Sequence, residues 1–328
     1  MIISLLAIVV GLIILIYSAD YFIDGAVALA TKYHMPKMLI GALIIGIGTS
    51  APELVVSALS ALAGSPGLAL GNAYGSNIVN IMLVLGVTAV IAPLVIQKQI
   101  LKTDFLWLIG VTAVSVVLLI DGHVGRIDAV ILLGLLAANI IVQIIGAKKH
   151  ADAVKSANAE LADDDDLPNA DEVNVLHSLV KLIAGLVVLV LSSRLIVWGA
   201  VELAKLWGLS DLIIGLTIVA IGTSLPELVS SIVAARRGEF EMAVGNVIGS
   251  NLFNTLGVVG LAAIIAPMSV SPDVLERDII VMCAITLVLL VMCIFALKKD
   301  GKIGRLSGVF LLSCFVGYSV WLAMSAIA

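Results

Sequence analysis

The chain has 328 residues, 61% of them hydrophobic and 12% charged, with a mean hydropathy of +1.20. A soluble domain carries about 25% charged residues, so this composition excludes a water-soluble globule and places the chain in lipid. The net charge of −5 accompanies neither a basic stripe nor an aromatic platform, which argues against a nucleic-acid partner.

In lipid every backbone polar group must be paired internally, which leaves helix bundles and closed barrels; long unbroken apolar runs select helices. The first run, residues 1–17, has no lysine or arginine before it. It is therefore expected to be a retained first helix with its N-terminus outside, not a secretory signal. Ten spans are predicted in chain order, near residues 2–30, 38–63, 68–92, 104–121, 126–146, 177–203, 212–236, 241–266, 277–297 and 304–326. They divide the chain into a first half (1–146), an acidic segment (147–174) and a second half (175–328).

The acidic segment holds Glu160, the run Asp163 to Asp166, Asp171 and Glu172. Its spacing is not that of an EF-hand, and a block of like charge reads as a solvated, disordered linker. Odd-numbered loops, with Lys181 at the start of span six, contain 14 of the 18 basic residues. Those loops, the acidic one included, are thus expected in the cytoplasm and both termini outside.

Span two contains Gly46 to Glu53, Gly-Ile-Gly-Thr-Ser-Ala-Pro-Glu. A carboxylate at that depth costs roughly 2.5–3.5 kcal/mol and is a functional-site hypothesis by default. Pro52 cannot donate a helix hydrogen bond and the glycines loosen the backbone, so a break is predicted beside Glu53. Thr49, Ser50, Glu53 and freed carbonyls would then form an all-oxygen cluster, the ligand set that hard cations prefer. In the following span, Ser76 and Asn80 fall on one helix face.

Sliding the chain over itself by 174 residues carries Glu53 onto Glu227, Thr49 onto Thr223, Ser50 onto Ser224, Ser76 onto Ser250 and Asn80 onto Asn254. The register needs no gap from Ser18 to Pro93. Five spans per copy, an odd number, invert the second copy in the membrane. The predicted fold is thus an all-α integral membrane protein of ten helices in two inverted five-helix repeats, with substrate sites near the midplane.

Other features have plainer explanations. Cys283, Cys293 and Cys314 read as apolar packing residues. The Gly-x-x-x-Gly spacings at 71/75 and 245/249 read as close helix packing. Thr112, Ser115 and Ser313 are expected to bond their own helices. Asp20 and Arg194, equivalent in the two repeats, could form an ion pair between spans one and six, while Asp24 reads as interfacial. An intramembrane hydrolase with Ser50 or Ser224 as nucleophile is the competing class; it predicts one nucleophile and one base with a third orienting group, not two equivalent copies.

The two Gly-Thr-Ser-x-Pro-Glu phrases, each followed by Gly-Asn-x-x-Gly-Ser-Asn-x-x-Asn, resemble the paired alpha repeats of the Ca²⁺/cation antiporter superfamily, specifically the prokaryotic sodium/calcium exchangers. The resemblance implies ten helices, extracellular termini and Na⁺/Ca²⁺ exchange across a plasma (inner) membrane. Electrogenic stoichiometry comes from the same source. It implies Glu53 and Glu227 as the main ligands of Ca²⁺ and Na⁺. Thr49, Ser50, Thr223, Ser224, Ser76, Ser250 and the carbonyls of Gly46 and Ala220 would add oxygens for Na⁺, and Asn80 and Asn254 would complete the centre. Potassium-dependent relatives resemble this pattern but place an aspartate where Asn254 stands, which argues against a K⁺ requirement. H⁺/Ca²⁺ exchange, or exchange of another divalent ion, through the same glutamates stays open. The ions are cargo, so no resident cofactor is implied, and no obligate protein partner is evident.

Overall fold

The computed structural model describes residues 1–96, 98–160, 173–208, 220–272 and 274–327. Its helices are α1 (Ile2–Lys32), α2 (Lys37–Thr49 and Ala51–Leu62), α3 (Gly67–Ile91), α4 (Asp104–Leu119), α5 (Arg126–Glu160), α6 (Val175–Leu206), α7 (Ala220–Thr223 and Leu225–Arg236), α8 (Phe240–Ile265), α9 (Val274–Lys299) and α10 (Arg305–Ile327). Among the described residues, seven helices are long and apolar enough to cross a membrane, and the bent pair of α2 raises this to eight. Of the others, α4 is a shorter apolar helix of 16 residues. The start of predicted span seven, up to residue 219, lies outside the described residues. Two antiparallel strand pairs, absent from the all-helical expectation, join loops at the bundle's ends: β1 (Leu94–Val95) with β4 (Lys302–Ile303), and β2 (His123–Val124) with β3 (Met268–Ser269).

The most polar spans are the most central. In the apolar windows of α3 and α8, 72% and 83% of residues are buried, against 17% for α5 and 11% for α10. Glycine-rich surfaces permit this. A Cβ at Gly245 would lie 2.5 Å from the Met38 carbonyl oxygen, and one at Gly249 would strike that of Ala42. The packing expected of that Gly-x-x-x-Gly pair is therefore present between α8 and α2. A Cβ at Gly71 or Gly75 meets no atom of the described residues within 4 Å.

The offset read from the sequence recurs in local geometry. Gly64 and Gly238 each take φ +80°. Asn80 and Asn254 each open a π-helical turn, Asn80–Val84 and Asn254–Val258. Ala92 and Ala266 both end their helices in extended backbone.

Helices α1 and α6 pack antiparallel: a Cβ on Gly25 would strike Leu182 and Ser178, one on Gly185 would strike Phe22, and one on Gly11 would meet Ile196. This geometry overturns the Asp20–Arg194 pair. Antiparallel neighbours face at a constant sum of residue numbers, whereas repeat-equivalent residues keep a constant difference. Arg194 therefore sits opposite residue 11, about nine residues and ~13 Å along the axis from Asp20. Asp20 instead pairs with Arg237 at 2.8 Å. Arg237 also bonds Asp24, which Lys181 holds at 2.8 Å. Asp24 is thus paired at the helix ends, where these contacts tie α1 and α6 to the end of α7.

Of the three hydroxyls expected to bond their own helices, two do so, Thr112 at 2.7 Å and Ser313 at 2.9 Å. Ser115 does not: its hydroxyl meets Tyr74 Oη of α3 at 2.6 Å, because a buried phenol on the facing helix outcompetes a carbonyl already used by its own turn. Helical structure also runs into the segment read as a linker. Helix α5 continues to Glu160, since Ala147 to Glu160 is rich in alanine and lysine, strong helix formers that override the change in polarity. Residues 161–172, with the acidic run, lie outside the described residues.

Candidate cation-binding site

The two Pro-Glu motifs do not merely kink their helices; they start new ones. The halves of α2 meet at Ser50 with a bend of 42°, and Pro52 falls in the first turn of the second half, as Pro226 does in α7. A missing N–H costs nothing there, because first-turn donors have no intrahelical acceptor. Glu53 and Glu227 consequently stand in first turns, where the positive end of the helix dipole favours a carboxylate. The carbonyl that Pro226 frees, on Gly222, accepts the Ser193 hydroxyl of α6 at 3.0 Å.

Both glutamates are fully buried, as are Thr49, Ser50, Asn80, Ser250 and Asn254, and Ser224 and Ser76 are nearly so. The halves interlock at this level. Ser50 donates to Glu227 Oε1 at 3.0 Å, Thr49 to Asn246 Oδ1 at 3.2 Å, and Ser250 to the Gly46 carbonyl at 3.2 Å. Ser50, three residues before Glu53, thus reaches the carboxylate of the other half. Ala220 opens the helical turn that ends at Thr223, which is half-buried.

Several oxygens in this core have no hydrogen-bond partner among the described residues: both carboxylate oxygens of Glu53, Oε2 of Glu227, Oδ1 of Asn80 and of Asn254, and Oγ of Ser224. The described ion pairs include neither glutamate. Leaving buried acceptors unmade is costly, more so for a charged group, and a bound cation would satisfy them. Among the described residues no three His, Cys, Asp or Glu side chains converge. A cation held here would therefore take two carboxylates and otherwise neutral oxygens, which fits Na⁺ and Ca²⁺ and not zinc.

The sequence reading missed one bridging residue. Asn246 accepts from Thr49 of the other half while its Nδ2 donates to the Glu227 carbonyl (3.1 Å) and to Ser231 (2.8 Å). Asn72 makes the equivalent bonds to the Glu53 carbonyl (3.3 Å) and Ser57 (3.1 Å). Recurrence of Asn72 at Asn246 was the available signal.

A family model described as sodium/calcium exchanger protein matches residues 3–145 and 177–324, both halves with their Pro-Glu motifs. The chain belongs to the sodium/calcium exchanger family. It is a multi-pass membrane protein and a cation antiporter, which removes the hydrolase alternative. The exchanger MaX1 of Methanosarcina acetivorans is 34% identical over 346 residues, covering 97% of this chain and 98% of MaX1. CaxA of Alkalimonas amylolytica is 40% identical over 325 residues, covering 99% of this chain and all of that one. The solved sodium-calcium exchanger NCX_Mj superposes with a TM-score of 0.80 at 32% identity, over 100% of this chain and 99% of its own.

Proposed function

We propose that this antiporter exchanges Na⁺ for Ca²⁺ across a prokaryotic inner membrane at one site shared by both ions. One observation carries the reading: two buried carboxylates from equivalent motifs face the same core with no basic partner among the described ion pairs. When both are ionised, one Ca²⁺ or two Na⁺ balances them, and the two loads compete for the same oxygens. Thr49, Ser50, Thr223, Ser224, Ser76, Ser250 and the Gly46 and Ala220 carbonyls add neutral oxygens for Na⁺, and Asn80 and Asn254 close the cage. A third Na⁺ on these oxygens makes the exchange electrogenic. Residues 1–146 and 175–328 act as inverted repeats around this site, with 147–174 cytoplasmic and the termini outside. Helices α1 and α6 move against the bundle to alternate access.

Proteoliposomes loaded with Na⁺ and diluted into Na⁺-free medium are expected to accumulate Ca²⁺, faster when an inside-positive potential is imposed. Uptake driven equally by a proton gradient and indifferent to Na⁺ would establish H⁺/Ca²⁺ exchange instead. Replacing K⁺ by an inert cation is expected to leave the rate unchanged, because the neutral Asn254 supplies no third carboxylate. Strict dependence on K⁺ would refute that assignment.

A further inference from the structure

The asparagines one turn before the cage, Asn77 and Asn251, belong to none of the ligand sets described above, yet they form a crossed network between the halves. Asn251 is 2% exposed and uses both ends of its amide: Nδ2 donates to the Asn77 carbonyl at 3.3 Å, and Oδ1 accepts from Asn80 Nδ2 at 3.1 Å. An asparagine amide presents a donor at one end and an acceptor at the other, and only the acceptor can hold a cation. Because Asn80 spends its Nδ2 on Asn251, its Oδ1 is the atom left without a partner.

We infer that Asn251 is a positioning residue that aims the carbonyl oxygen of Asn80 at the cation, and that Asn77 is built to do the same for Asn254. Asn77 Nδ2 is held by Thr255 Oγ1 at 2.8 Å, which leaves Asn77 Oδ1 as the free acceptor. By the repeat offset, Asn254 Nδ2 is its natural donor, and both atoms are without a partner among the described residues. One crossing is therefore made and the equivalent one is open, so the halves orient their asparagines unequally in this conformation. Thr255 reinforces the difference, since Ile81 occupies its equivalent position and has no hydroxyl.

This inference rests on Asn80 being a cation ligand as proposed above. Its test compares Na⁺-driven Ca²⁺ uptake and the half-saturating Ca²⁺ concentration in proteoliposomes. Asn251→Ala frees the Asn80 amide to turn its NH₂ inward. It is expected to raise half-saturating Ca²⁺ about tenfold, the effect of one misdirected neutral ligand (~1.4 kcal/mol), with a smaller change in maximal rate. Asn251→Asp keeps the acceptor for Asn80 Nδ2 but loses the donor to the Asn77 carbonyl, so it is expected to raise half-saturating Ca²⁺ clearly less than Asn251→Ala does. Adding Asn80→Asp to Asn251→Ala is expected to restore affinity, because both ends of a carboxylate are oxygens. Should Asn251→Ala not fold, Asn251→Ser gives the same reading, being polar but too short to reach Asn80. Unchanged affinity in a folded Ala or Ser variant, or an Asp variant as impaired as Ala, overturns the inference. Absence of Na⁺-driven uptake by the parent protein overturns the functional reading itself.

Discussion

Glu53→Gln and Glu227→Gln should each abolish exchange while the protein still folds. Glutamine keeps the shape and one acceptor oxygen but removes the charge, so the remaining carboxylate cannot balance Ca²⁺ alone. Unit charges 4 Å apart at an effective dielectric near 20 attract by about 4 kcal/mol, so losing one carboxylate costs roughly a thousandfold in Na⁺ affinity and more for the doubly charged Ca²⁺. Folding is expected to respond in the opposite direction. Both groups are fully buried, and the described ion pairs include neither. Removing an uncompensated buried charge relieves desolvation, so each variant should melt at or above the parent's temperature in ion-free buffer. The two differ in one respect. Glu227 accepts the Ser50 hydroxyl at 3.0 Å, a bond that an amide oxygen can still accept, whereas neither Glu53 carboxylate oxygen has a partner among the described residues. The stabilisation should accordingly be larger for Glu53→Gln. Measuring radiolabelled Ca²⁺ uptake beside thermal unfolding separates these effects. Retained exchange in either variant would sink the shared-pocket reading.

The candidate site was legible in the sequence because it is written twice. One Pro-Glu phrase in an apolar run is ambiguous; its recurrence with Ser, Thr and Asn at matched spacings marks a repeated intramembrane site, and the structure brings both copies into one buried core. What the chain hides is anything set by docking. Asp20 bonds Arg237, 217 residues away, and that partner follows only from how α1 lies across the end of α7. The Ser115–Tyr74 bond likewise depends on which faces of α3 and α4 meet. Asn246 was visible as a repeat of Asn72, but its acceptance of the Thr49 hydroxyl crosses between halves and follows only from how they dock. The continuation of α5 to Glu160 agrees with helix propensity, a signal that the change to polar residues after Gly146 obscures in the sequence.

Gly249→Ala is expected to eliminate exchange through packing rather than charge. The added methyl would strike the Ala42 carbonyl oxygen and lie 2.5 Å from the Ala42 Cα. Both are backbone atoms, so relief requires α2 and α8 to part. The next residue, Ser250, donates to the Gly46 carbonyl at 3.2 Å, and a Cβ on Gly46 would itself lie 2.9 Å from the Ser250 amide. The bond joining the two halves of the cage thus sits directly beside the closest helix contact, and separating the helices by about the width of a methyl breaks it. Overpacking of this kind costs typically 1–3 kcal/mol in stability. The loss of transport should exceed that many-fold, because ligand oxygens from both helices must reach one ion. Gly134→Ala is the control: it places the same methyl on exposed α5 with nothing within 4 Å. There it should leave exchange intact and stabilise the helix by up to about 1 kcal/mol. If Gly249→Ala exchanged ions normally, the contact between α2 and α8 would not be what sets the geometry of the cage. If exchange failed with no drop in melting temperature, the fault would lie in the positions of Gly46 and Ser250 alone.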